Sequence, residues 1–130
     1  MITLNEAKKL SESFRVIPLV TSLFSGSETP VSIFEKLAGD STGCFLLESA
    51  EQGVWSRYSF IGVSNLGTLV KQRSEVRWVE SEPSETSNFV ATLISGSSGL
   101  DAIESIQRFF RAAPTQGLPP LVSGMVGFLS

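Results

Sequence analysis

Glu48, Ser49, Arg57 and Ser59 lie within a dozen positions and are of the types that recognise a small zwitterion. A carboxylate attracts an ammonium, a guanidinium grips a carboxylate, and hydroxyls fix a further proton. Their spacing sets them around a turn. Cys44 to Ala50 reads as a short apolar strand ending in polar atoms, Glu51-Gln52-Gly53 as a turn, and Trp55 to Val63 as a second strand. In that second strand Trp55, Arg57, Ser59 and Ile61 share one face, and Ser56, Tyr58 and Phe60 the other. Aromatic residues on both faces imply burial on both sides for part of it. A plainer reading stands beside this one: Glu48 and Arg57 pair with each other on a sheet surface.

Composition narrows the chemistry. The sequence contains no histidine, which removes Ser-His-Asp, Cys-His and histidine–metal schemes built from this chain alone. The single cysteine, Cys44, has no internal disulfide partner and reads as a small buried hydrophobe in a reducing compartment. Ten basic against thirteen acidic residues give a net charge of −3 without a Lys/Arg cluster, which argues against nucleic acid as a partner. No apolar run reaches the ~18 residues of a membrane helix. The N-terminal stretch, with Glu6, Lys8, Lys9, Glu12 and Arg15, does not read as a signal peptide. At 130 residues, 42% hydrophobic and 18% charged, the chain is globular, one domain or part of one. Carboxylate acid–base chemistry and binding remain.

The elements that must position these groups follow from capping and periodicity. Thr3-Leu4-Asn5-Glu6 has capping-box spacing, and Ala7, Leu10 and Phe14 follow on one side, so a helix is expected near 4–12. Arg15 to Phe24 suggests a strand, at a sheet edge because of Pro18. Thr29-Pro30 opens a helix over 30–38 that Gly39 stops. Leu66–Gln72 and Glu75–Glu80 read as a meander, Ser81–Asn88 as a surface loop and Phe89–Ile94 as one more short strand. Asp101 is the expected cap of a helix over 101–112, with Ile103, Ile106, Phe109 and Phe110 on one face. Leu121 to Ser130 reads as an apolar, glycine-containing central strand; a chain that stops inside one is expected to be truncated. The fold class expected is α+β: a mostly antiparallel sheet with about three helices packed on it.

Leu46-Leu47-Glu48-Ser49 and Ser56-Arg57-Tyr58-Ser59-Phe60-Ile61-Gly62 resemble the LLES and RYSFIG segments of the anthranilate synthase component I family, in its N-terminal region. Thr29-Pro30-Val31 to Leu37 resembles the family's TPV helix. Asp101-Ala102-Ile103-Glu104-Ser105-Ile106 resembles its DPLEAL helix, with Ala102 where proline is usual. Leu118-Pro119-Pro120 through Gly127-Phe128-Leu129-Ser130 resembles its LPPF to VGYLSYD segment, with Ser123 for a glycine and the aspartate missing.

The resemblance implies the N-terminal, tryptophan-sensing domain over 1–130 of a larger two-domain α/β sandwich. The full subunit converts chorismate and ammonia to anthranilate and pyruvate in the cytoplasm, with Mg²⁺ bound by a catalytic domain absent here. The ammonia comes from a glutamine amidotransferase partner, component II. No catalytic residue is carried over. For the regulatory site, Glu48 and Ser49 match the LLES glutamate and serine, and Arg57 the basic residue on the next strand. The backbone at Leu47 and the side chains of Tyr58 and Ser59 are further candidates. Two alternatives are the corresponding region of aminodeoxychorismate synthase component I, from folate biosynthesis, and a free-standing amino-acid-binding module.

Overall fold

The computed structural model describes residues 2–48, 58–119 and 121–129. The chain divides into two compact units, one formed by Ser22–Asn65 and one by Met1–Thr21 with Leu66–Ser130.

The second of these begins with α1, Leu4–Ser11. Its expected capping box is present: Thr3 Oγ1 accepts from the Glu6 N–H at 3.3 Å, and the Glu6 carboxylate accepts from the Thr3 N–H at 2.8 Å. These bonds to the Thr3 backbone and hydroxyl hold the Glu6 carboxyl below its ordinary range. A depressed folded-state pKa stabilises the native helix end above the unfolded pKa, and that contribution is lost as pH falls through the folded value. Carboxyl NMR titration is therefore expected to give Glu6 a midpoint below ~4.3, and Thr3→Ala, which removes the hydroxyl bond but keeps the backbone N–H, to raise it part of the way back. A midpoint already ordinary in the unsubstituted chain would remove the cap from the solution structure.

The core of the same unit is a hairpin under two helices. β3 (Gly67–Gln72) and β4 (Glu75–Glu80) pair antiparallel with Leu69 opposite Trp78 and Gln72 opposite Glu75. Arg73 takes the left-handed conformation at the turn, φ 58°. Helices α3 (Glu85–Leu93) and α4 (Gly99–Phe109) cover one side. Val90 and Ile94, one turn apart, meet Ala102 and Ile106, also one turn apart, and all four are buried. Leu69, Val76, Trp78, Phe109, Phe110 and Met125 pack against them. Trp78 Nε1 donates to the buried Ser87 Oγ at 3.4 Å.

The unit Ser22–Asn65 holds α2 (Pro30–Ala38), β1 (Phe45–Leu47) and β2 (Phe60–Gly62). Thr29 caps α2 reciprocally with Ser32, Pro30 fills the first turn, and Gly39 follows with φ 50°. Lys36 pairs with Glu28, which also accepts from Ser32 Oγ at 2.6 Å; Lys36 first and Ser32 second lower the Glu28 pKa.

The α+β class stands, with five differences of detail. Among the described residues the expected single sheet is two separate two-stranded ladders. The expected strand Arg15–Phe24 does not form; only Val16 bridges, in parallel with Ala112. Pro18 lacks a donor and restricts the residue before it, and Leu19, Leu23 and Phe24 stand exposed. What ties this stretch down is Arg15, whose guanidinium lies 4.4 Å over the Phe109 ring. The loop and strand expected over 81–94 are helix α3, capped by Ser84, whose side chain accepts from the Ser87 N–H. The cap of α4 is Ser98, with Asp101 in its first turn. The closing strand expected over 121–130 is irregular through 121–129, with Gly124 at φ 151°, and Phe128 and Leu129 exposed.

Candidate functional site

The two strands read from the LLES and RYSFIG segments do pair. Phe45 lies opposite Gly62, Leu46 opposite Ile61 and Leu47 opposite Phe60, antiparallel. One end of this ladder is closed by polar contacts: Cys44 Sγ donates to the Val63 carbonyl at 3.4 Å, and Asn65 Nδ2 to the Gly43 carbonyl at 3.3 Å. At the other end, one residue beyond the last pair, lie Glu48 and Ser59, both exposed.

Alternation along the strands divides the candidates between two faces. Phe45, Leu47, Phe60 and Gly62 share one, together with Tyr58, whose ring is 6.2 Å from that of Phe60 at 46°. Leu46 and Ile61 share the other, and one further step takes Glu48 and Ser59 to it. The ladder thus offers a carboxylate and a hydroxyl on one face, and an exposed leucine and tyrosine on the other. Ser49 and Arg57 lie outside the described residues, and with them the Ser49 hydroxyl and the ion pair of Glu48 with Arg57. The sequence reading did not single out Phe45 and Gly62 as a pair. A glycine inside the RYSFIG strand, with a phenylalanine on the strand before it, is the signal that was available.

A separate shallow groove of about 620 Å³ lies in the other unit, between Phe14, Arg15, Val16, Leu66 and the Phe109-Phe110 pair. None of the four described candidates, Leu47, Glu48, Tyr58 and Ser59, lines it. Among the described residues no three His, Cys, Asp or Glu side chains converge as a metal site. No described helix is long and apolar enough to cross a membrane.

Fold and ladder end together define an α+β segment whose short strand pair ends at an exposed carboxylate and hydroxyl. Comparison with known proteins is specific. The chain is 37% identical over 124 residues to anthranilate synthase component 1 of Mycolicibacterium smegmatis, covering 95% of this chain and 22% of that protein. It is 37% identical over 127 residues to the protein of the same name in Arthrobacter globiformis, covering 97% and 23%. For Aquifex aeolicus the identity is 35% over 130 residues, covering 99% and 25%. The chain spans under a third of the length of these relatives. No family model and no solved structure matches. The resemblance to the N-terminal region of anthranilate synthase component I, carried by five short motifs, therefore extends along nearly the whole chain.

Proposed function

We propose that this chain is the regulatory, tryptophan-sensing part of anthranilate synthase component I, in the chorismate-to-anthranilate step of tryptophan biosynthesis. The single observation that carries the proposal is identity of 35–37% along nearly the whole chain to relatives of that name. That shared name also supports this branch over the folate-pathway sister enzyme. The open ladder end supports the sensing role: Glu48 is exposed there and its carboxylate can attract an ammonium, and Ser59, also exposed, lies likewise one residue past the last pair.

In this reading the chain supplies binding groups and no catalytic ones. The whole enzyme would take ammonia from a glutamine amidotransferase partner, component II. Its Mg²⁺, with chorismate, would belong to residues outside this chain. Tryptophan would bind through its ammonium at Glu48, with Ser49 and Arg57 taking the carboxylate. By binding one conformation better, it would shift the enzyme toward that state by no more than its differential affinity.

The test uses the full-length polypeptide carrying these residues, assayed for anthranilate formation with and without tryptophan. Glu48→Gln and Ser49→Ala are each expected to raise the inhibition constant roughly 10- to 100-fold, the worth of one charge-assisted hydrogen bond. Turnover without tryptophan should fall far less. Near-normal inhibition in both variants would sink the sensing role.

A further inference from the structure

We propose that Phe45 and Gly62 form a register lock that positions the ligand edge of the β1–β2 ladder, an inference that rests on the tryptophan-sensing reading above. The two residues are directly opposed, at the end of the ladder away from Glu48 and Ser59. The Phe45 ring lies in the space a side chain at Gly62 would need. A Cβ there would stand 2.7 Å from ring atoms Cδ1 and Cζ, and closer still to Cε1. The backbone at Gly62 is not left-handed, so the glycine serves the ring and not a turn.

The ladder is short, with three opposed pairs. Three pairs leave few contacts to fix the register, and a slip of one residue turns every side chain to the opposite face. Such a slip would set Phe45 opposite Ile61 or Val63. Both are β-branched, so both would put Cβ substituents into the space the ring occupies at Gly62. The ring therefore fits one register and rejects its two neighbours. Keeping that register keeps Glu48 beside Ser59, one residue past the Leu47–Phe60 pair. Phe45 and Gly62 are positioning residues: they act on the ligand groups through the strands.

The experiment is a double-variant cycle on the full-length polypeptide, reading the tryptophan dissociation constant by calorimetry and chorismate kcat and KM alongside. Gly62→Ala is expected to weaken tryptophan binding roughly tenfold or more, with a far smaller change in chorismate KM. Phe45→Ala, which introduces no clash, should weaken it similarly. The double variant should be little worse than either single one, because both remove the same contact. If Gly62→Ala does not fold, Phe45→Ala carries the test alone. Unchanged tryptophan binding in a folded variant, additive losses, or an equal rise in chorismate KM would each overturn the lock. Absence of tryptophan binding in the unsubstituted protein would overturn the underlying reading, and is seen before any variant is made.

Discussion

An Ile106→Ala variant is expected to lose about 3 kcal/mol of stability, within the usual range for truncating a buried isoleucine. Ile106 sits in the middle of α4 and is buried with Val90, Ile94 and Ala102. The loss has two parts. The removed carbons no longer leave water on folding, and the neighbours cannot close the gap. Two of those neighbours, Val90 and Ile94, are held on α3 and at its C-cap. Ala102 is too small to reach across. Each kcal/mol is worth roughly 4–8 °C in a domain of ~60–100 residues, so the melting point should fall by more than about 10 °C. Leu100→Ala is the control on the same helix. Leu100 is 70% exposed, and its truncation should cost within about 0.5 kcal/mol. Equal losses in the two variants would show that α4 does not pack in solution by the face described.

Gly67→Ala is the second large effect. A Cβ at Gly67 would lie 2.5 Å from Cε2 and Cζ2 of the Trp78 indole and 2.8 Å from its Nε1. That indole packs against the buried cluster and donates to Ser87 Oγ. To admit a methyl group it must swing away, giving up packing and the bond to Ser87 together. Overpacking of this kind costs about 1–3 kcal/mol, and a stranded buried hydroxyl about 1–3 kcal/mol more. A loss of about 2 kcal/mol or more is expected, with a red shift in Trp78 emission. Trp55→Phe provides the background in which Trp78 is the remaining tryptophan. Stability and emission both unchanged would mean that the indole does not lie over Gly67.

Helices α1 and α2 were legible because their signals are local. Thr3 with Glu6, and Thr29-Pro30 with Gly39, name their own ends. The β3–β4 meander was legible from alternation around Glu75–Glu80. Helix α3 was not. Phe89-Val90-Ala91-Thr92-Leu93-Ile94 is rich in strand formers, and its β-branched and aromatic side chains outweigh a weak helical pattern. The helix is decided by tertiary burial: Ser87, Val90 and Ile94 fall on one side at helical spacing, and they are the residues buried there. The misread strands at 15–24 and 121–130 share the opposite cause. Both are apolar enough to pair, but pairing needs a partner strand, and composition cannot supply one. For the site, the ladder was legible down to its two strands. The division of Glu48 and Ser59 from Leu47 and Tyr58 depends on register, which only paired backbones fix.

The chain's order of synthesis acquires a consequence from one contact. Val16 pairs with Ala112, and its carbonyl accepts from the Ala113 N–H at 2.8 Å. The unit Ser22–Asn65 is one continuous stretch of chain and is complete long before Ala113 leaves the ribosome. At about 5–20 residues per second, the stretch of chain from Val16 to Ala113 takes roughly 5–20 s to make. Through that time α1 can form, because its cap is local, but Phe14 and Arg15 have neither Arg111 nor Phe109 to meet. The segment through Phe14 and Arg15 is thus made well before the residues it docks on, and it stays without those partners until they emerge.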